Sequence, residues 1–305
     1  MGMVRHNLFI VNDYSSHHID LTEMKALADS IFDGDVDFAH IGGRNDYKDM
    51  IRDAGESGEP VRVYACGGDG TLNSVLQEVM GYGNLSLTNV ALGTGNDYLK
   101  RFDRPSAFHD LEEFSKTFES KVDVIRLNDL YSANVVCFGL DARVCEVYEK
   151  LRPIKIIGKM GYQIGCLVSI IKGVSQSCRV ELDDGAVFDG KMTLVCVCNN
   201  GWYGGSYHPS PEANVKDGLL DVIVCRKISR LTMIRILSKY KKGMRHKISS
   251  KIIEHHRVRS MRIIPDEVSP FNLDGELVMA PEANISVEHE ALRFFYPESV
   301  KEIDP

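Results

Sequence analysis

The chain has 305 residues, 44% of them hydrophobic, with 36 Lys and Arg against 43 Asp and Glu and a formal net charge of −7. That length can bury large cores and leads to an expectation of two domains. Met1 to His6 is not followed by a long apolar stretch, so no signal peptide is expected, and the oiliest segment, Ile154 to Gly173, is broken by Lys155, Lys159 and Lys172 and is expected to be a poor membrane span,. That segment reads as a core helix, or as an amphipathic helix against an apolar ligand. The eight cysteines show no C-x-x-C pair and no zinc spacing, which fits buried thiols in a reducing, cytoplasmic compartment,.

In chain order, Leu8 to Val11 is a short apolar strand that runs into Asn12. Val61 to Cys66, β-branched and aromatic, predicts a second buried strand, and Leu72, Val75, Leu76, Val79 and Met80 recur at helical spacing until Gly81 and Gly83,. Gly67-Gly68-Asp69-Gly70-Thr71 is therefore a strand-to-helix turn. Asn89 to Leu92 repeats the arrangement, entering Gly93-Thr94-Gly95-Asn96-Asp97 before a short helix at Tyr98 to Phe102. Residues 1 to about 124 alternate strand and helix patterns, the signature of a doubly wound parallel sheet,. From about 126 strand-like runs dominate, Ala133 to Phe138, Arg179 to Leu182, Val187 to Val197, Leu219 to Val224 and Val258 to Ile264, with a hairpin at Asp184-Gly185,. These predict an antiparallel β-sandwich.

Bare backbone at a strand-to-helix turn lets a phosphate approach free amides. Asp69 would oppose that anion unless a cation stood between them, so the turn suggests nucleotide phosphates with Mg²⁺. Neither G-x-x-x-x-G-K-[ST] nor a post-strand G-x-G-x-x-G is present, which removes most support for a P-loop enzyme or a dinucleotide dehydrogenase,. In an open parallel sheet, loops at neighbouring carboxyl ends share one crevice, so Asp69 and Asp97 are expected to face one site. The plain alternative is an ordinary glycine turn.

Taken together, Gly67 to Thr71 and Gly93 to Asp97 resemble the catalytic domain of soluble diacylglycerol kinases, a lipid-kinase family related to sphingosine and ceramide kinases. The resemblance is strongest at Gly95-Asn96-Asp97, and no G-x-N-x-G-x-L-G-F segment of the NAD kinase type is present. It implies an NAD kinase/diacylglycerol kinase-like α/β domain over 1–125 plus about 290–305, and a β-sandwich lipid-substrate domain over 126–289. It further implies ATP as co-substrate, with Asn12, Gly67, Gly68, Asp69, Gly70, Thr71, Gly93, Thr94 and Asn96 binding the nucleotide, and Asp97 and Asp123 in the active-site acid network. Asp69 would organise Mg²⁺. "PEANVKDGLLD" looks like the segment in which Asp217 and the Leu219 carbonyl would hold a structural cation, and "NLDGE" like the one in which Asp274 would be the general base with Glu276 beside it. Asp-Gly also commonly makes a plain hairpin. Two departures stand out: the family's Asn-Pro-x-x-Gly turn is reduced to Asn12, and Leu99 replaces a smaller residue, with consequences for the adenosine side and the acceptor pocket.

Charge is uneven. Arg226 to Arg262 holds thirteen basic residues and Glu254 as its single acid, leaving 23 basic against 42 acidic residues elsewhere. A solvated helix face is the bland account; transient contact with an anionic membrane surface is the sharper one. Nucleic acid is disfavoured, because the segment has no interleaved aromatics apart from Tyr240 and the rest of the chain would repel a polyanion,. The resulting expectation is a cytoplasmic kinase, peripheral at the inner membrane surface, that makes phosphatidic acid from diacylglycerol. Alternatives are phosphorylation of ceramide, sphingosine, a polyprenol or NAD, or a non-catalytic lipid-binding regulator; a homodimer stays open.

Overall fold

Short β-branched runs bounded by glycine or acidic turns become strands throughout. The computed structural model describes residues 6–13, 20–42, 47–151, 175–205 and 207–303, without the side chains of 148–151. The oily segment 154–173 and most of the loop after Asn12 lie outside the described residues. The chain divides into two compact units, residues 1–123 with 289–304, and residues 124–288.

In the first unit, β1 (His6–Asn12), β2 (Asp35–Ile41), β3 (Val61–Gly67) and β4 (Leu85–Ala91) pair in parallel in the order β4-β3-β1-β2. Helices α1 (Leu21–Ile31), α2 (Tyr47–Glu56) and α3 (Asp69–Val79) link them. Every residue of β4 is buried and nearly all of β3, as a parallel strand covered on both faces requires,. The chain winds outward from β1 to β2 and then returns to the other side of β1 as β3. The sheet order thus reverses between β1 and β3, which places the carboxyl ends of these strands, Asn12 and Gly67, at the topological switch point,.

Strand β5 (Thr117–Leu127) carries the chain into the second unit. There β6 (Leu130–Ser132), β7 (Val135–Gly139), β8 (Gln176–Leu182), β9 (Val187–Cys198), β10 (Leu220–Arg226), β11 (Ile253–Val258), β12 (Ser260–Pro265), β13 (Ser269–Leu273) and β14 (Glu276–Ala280) pair antiparallel. Among the described residues two α-helices accompany them, α4 (Leu140–Leu151) and α5 (Arg230–Lys241). Long β9 pairs with β8 over its first half and with β7 over its second. Its alternation explains the burial of both faces: Val195 and Val197 enter one core with Val136, Phe138 and Val222, while Leu194, Cys196 and Cys198 enter another with Cys137, Ile223 and Tyr240 of α5,. The seven described cysteines are all free and buried.

One predicted strand is two. The run Val258 to Ile264 is interrupted because the Asp183 carboxylate accepts the N–H groups of Arg259 and Ser260 at 3.0 and 2.8 Å, ending β11 and starting β12. Strand β15 (Ala283–Pro297) returns the chain to the first unit, where Phe294 pairs in parallel with Leu87 of β4. Phe294 and Phe295 are fully buried there, edge-on to Tyr98 at 4.9 Å and Tyr64 at 5.0 Å.

Candidate active site

β3 passes directly into α3, whose N-cap is Gly68 in extended conformation with no capping side chain. The first-turn amides therefore have no side-chain acceptor and favour an anion. The second glycine loop lies against this turn: a Cβ on Gly93 would stand 2.3 Å from the Gly68 Cα, and one on Gly68 3.1 Å from the Gly93 Cα. Backbone meets backbone, so these two positions admit little but glycine. Hydrogen bonds fix the join, with Leu92 N–H donating to the Gly67 carbonyl at 3.0 Å and Asp97 N–H to Asp69 Oδ1 at 2.6 Å.

Gly95 completes the floor, since a Cβ there would lie 2.6 Å from Asp69 Oδ2. Asn96, in the left-handed region at φ 48°, donates through Nδ2 to the Gly93 carbonyl at 2.9 Å, which leaves its buried Oδ1 without a hydrogen-bond partner. Asn12 reaches the same place from β1, donating to Thr71 Oγ1 at 2.9 Å. Lys100 Nζ sits 2.5 Å from Asp97 Oδ1, and Thr94 is exposed. The structure thus brings Asn12, Gly67 to Thr71 and Gly93 to Asp97 together. Leu99 is fully buried.

A Mg²⁺ ion fits this set. Asp69 offers one carboxylate and the glycine floor leaves room for phosphates, and Mg²⁺ takes its remaining oxygens from phosphate and water. Among the described residues no three carboxylate, thiol or imidazole groups converge as a protein-only cage would need.

Asp123 is a buried carboxylate, 0% exposed, accepting from His289 Nδ1 at 2.7 Å and from Glu290 N–H at 2.8 Å. These contacts tie the end of the first unit's opening stretch to the returning β15.

In the second unit Asp274 and Gly275 form the two-residue turn between β13 and β14, with φ 50° and 102°, so the hairpin reading of Asp-Gly is what the backbone adopts,. The turn also presents a carboxylate. Asp274 accepts the N–H groups of Ala133 at 2.7 Å, Val135 at 2.8 Å and Asn134 at 3.1 Å, which fixes its orientation. Glu276 is exposed at the start of β14.

Two residues that the sequence did not single out brace this turn. Asn272 Oδ1 accepts Gly275 N–H at 2.7 Å while its Nδ2 donates to Asp141 Oδ2 at 2.7 Å. Asp141, in the first turn of α4, is pushed up to about 6 by burial, against the Asn272 hydrogen bond. Asn272 lies inside "NLDGE" and Asp141 follows a strand and glycine as Asp69 does; those were the available signals.

Asp217 Oδ1 accepts Leu219 N–H at 2.9 Å and its Oδ2 is ion-paired with Arg257. Asp221, 1% exposed, continues the network to His255 Nε2 at 2.6 Å, and Arg245 bonds both His255 Nδ1 and Glu212.

The second unit also contains a small apolar pocket of about 90 Å³, lined in part by Leu140, Val144, Cys225, Met233, Ile236 and Leu237.

Comparison with known proteins accords with this geometry. Residues 6–128 match the diacylglycerol kinase catalytic domain, and residues 134–296, more than half of the chain, match the YegS C-terminal NAD kinase beta sandwich-like domain. The chain belongs to the YegS and diacylglycerol kinase-like family of lipid kinases. Within that family it is 26% identical over 242 residues, 77% of this chain and 76% of the other, to a Shewanella frigidimarina protein named "Probable lipid kinase YegS-like". A Staphylococcus aureus (strain MSSA476) protein named "Putative lipid kinase SAS0691" is 26% identical over 234 residues, 76% of this chain and 75% of that one. In fold, it is similar to a Bacillus anthracis (strain Sterne) crystal structure described as a diacylglycerol kinase, with a TM-score of 0.70 and 18% identity over 98% of this chain and 99% of that chain. A second structure from the same strain gives a TM-score of 0.72 at 20% identity, again over 98% and 99% of the two chains. No described helix is long and apolar enough to cross a membrane.

Proposed function

We propose that this lipid kinase transfers the γ-phosphoryl group of ATP to the hydroxyl of diacylglycerol, giving phosphatidic acid and ADP. The observation that carries the reading is the interlock of the two glycine loops, with Asp69 held at their junction by the Asp97 amide. Amides of the first turn of α3 and the floor formed by Gly68 and Gly93 bind the phosphates, and Asn12 steadies Thr71 beside them. Mg²⁺, held by Asp69 together with the phosphates, would neutralise charge on the transferring group.

Asp274 takes the proton as the acceptor oxygen attacks the γ-phosphorus and the bond to the bridging β–γ oxygen breaks. Its three amide contacts keep it oriented, and Asn272 holds the turn. Glu276 would act as the partner of Asp274, while Asp97 and Asp123 would belong to the surrounding acid network. The apolar pocket of the second unit offers burial for part of an alkyl tail,.

The test is transfer of labelled γ-phosphate to diacylglycerol, ceramide, sphingosine, a polyprenol and NAD, with the lipids in mixed micelles, by wild type, Asp274→Asn and Gly95→Ala. Phosphatidic acid should be the labelled product. Asp274→Asn should lower kcat by roughly 10²-fold or more. Gly95→Ala should lose transfer while keeping its thermal midpoint, because the added Cβ meets Asp69 Oδ2 rather than the core. Label in another lipid would keep the chemistry and change the substrate; no transfer to any of them would overturn the reading.

A further inference from the structure

Helix α5 buries only Met233 and Tyr240, although Leu231, Ile234, Ile236 and Leu237 are also apolar. Leu231 is 67% exposed, Ile234 60% and Leu237 36%, and their spacing by three places them along one outward strip of the helix,. Isolated exposed leucines need no explanation, but three in a row on one helix do. Arg230, Arg235, Ser238 and Lys241 share the outward side, all exposed, and Lys242 follows at the C-cap.

The thirteen basic residues of the surrounding segment do not contribute equally. Arg226, Arg245, Arg257 and Arg262 are ion-paired with Glu254, Glu212, Asp217 and Glu282. Arg235 and Lys242 have no ion pair among the described residues, Lys239 bonds the Lys247 carbonyl, and Lys241 lies 5.4 Å from the Tyr207 ring centre. Among the described residues Arg235, Lys239, Lys241 and Lys242 thus place cations without a carboxylate partner on α5 and its C-cap, the element that carries the apolar strip, while Lys227, Lys247, Lys251 and Arg259 add to them elsewhere in the segment.

Cations beside exposed aliphatic side chains, on a chain otherwise rich in acid, complement a surface that is both anionic and penetrable by hydrocarbon. A nucleic acid would meet the charge but would waste the strip. We infer that α5 is the element that seats this enzyme on anionic bilayers, with Leu231 and Ile234 entering the headgroup boundary and Arg235 and Lys242 facing lipid phosphates. This rests on the lipid-kinase reading for its occupant and goes beyond it by naming the surface.

The experiment is vesicle flotation of the full chain without nucleotide, on phosphatidylcholine vesicles with and without phosphatidylglycerol, so that binding is read apart from catalysis. Wild type should float only with phosphatidylglycerol. The double variant Leu231→Glu/Ile234→Glu should bind at least ten-fold more weakly with an unchanged thermal midpoint, since both side chains are solvent-facing. Arg235→Gln and Lys242→Gln should each weaken binding about fivefold and reduce its salt dependence. Equal flotation of wild type and the double variant, flotation on phosphatidylcholine alone, or tight binding of single-stranded RNA lost in the same variants would overturn the inference. A protein that floats as expected but transfers no phosphate upholds this surface and sinks the proposed reaction instead.

Discussion

At single residues, side chains outside the recognisable motifs set the working geometry. Asp141 is the clearest case, because it is buried beside the Asp274 turn and accepts a hydrogen bond from Asn272 Nδ2. A carboxyl that titrates near 6 in the fold and near 3.8 in the open chain is bound more tightly to its proton when folded. Stability therefore falls as pH rises from about 4 through 6, and the full cost, about 3 kcal/mol, applies above both values. Asp141→Asn keeps an oxygen to accept from Asn272 and carries no charge. It should be more stable than wild type at pH 7 by on the order of 1–3 kcal/mol, and the two should converge near pH 4 in denaturant titrations. Gly68, Gly93 and Asp69 were legible in the sequence because bare backbone and an acid next to a helix start have few other uses. Asp141 and Asn272 were not, because a lone Asp after a strand and a lone Asn before a turn are common, and only their 2.7 Å contact distinguishes them.

Among elements, the loop 211–221 meets a cation supplied by the chain itself. Arg257 of β11 pairs with Asp217, a register that follows from Asp221 lying opposite Arg257 across β10 and β11. Removing divalent ions with a chelator should therefore leave the nucleotide-free thermal midpoint unchanged. Arg257→Gln should lower it by roughly 1–3 °C and make it rise with added Mg²⁺, since Asp217 then lacks its cation. A wild-type midpoint that falls on chelation would show that the loop does hold a metal. The strand run Val258 to Ile264 teaches the same lesson, because its apolar pattern is continuous and the break at Arg259 comes from Asp183, far away in sequence.

Across the whole molecule, the first unit is completed by the end of the chain. Residues 289–304 bring Phe294 and Phe295 into the aromatic core around Tyr64 and Tyr98. Phe295→Ala should cost about 3–5 kcal/mol. It should weaken ATP binding in step with the loss of folded first unit, which calorimetry with and without nucleotide would register; a variant as stable as wild type would contradict this packing. The sequence by itself determined the local grammar: parallel α/β units, then antiparallel strands, glycine turns after β3 and β4, and an acidic chain with one basic segment. These follow from periodicity, side-chain shape and charge, which act between near neighbours. Tertiary structure alone decided that Gly93 must press on Gly68, that Asp274 is oriented by the amides of Ala133 to Val135, that Asp217 pairs with Arg257, and that Leu231, Ile234 and Leu237 are left exposed on α5. Each of those depends on contacts between residues far apart in the chain, whose distances are fixed only once strand order and register are set.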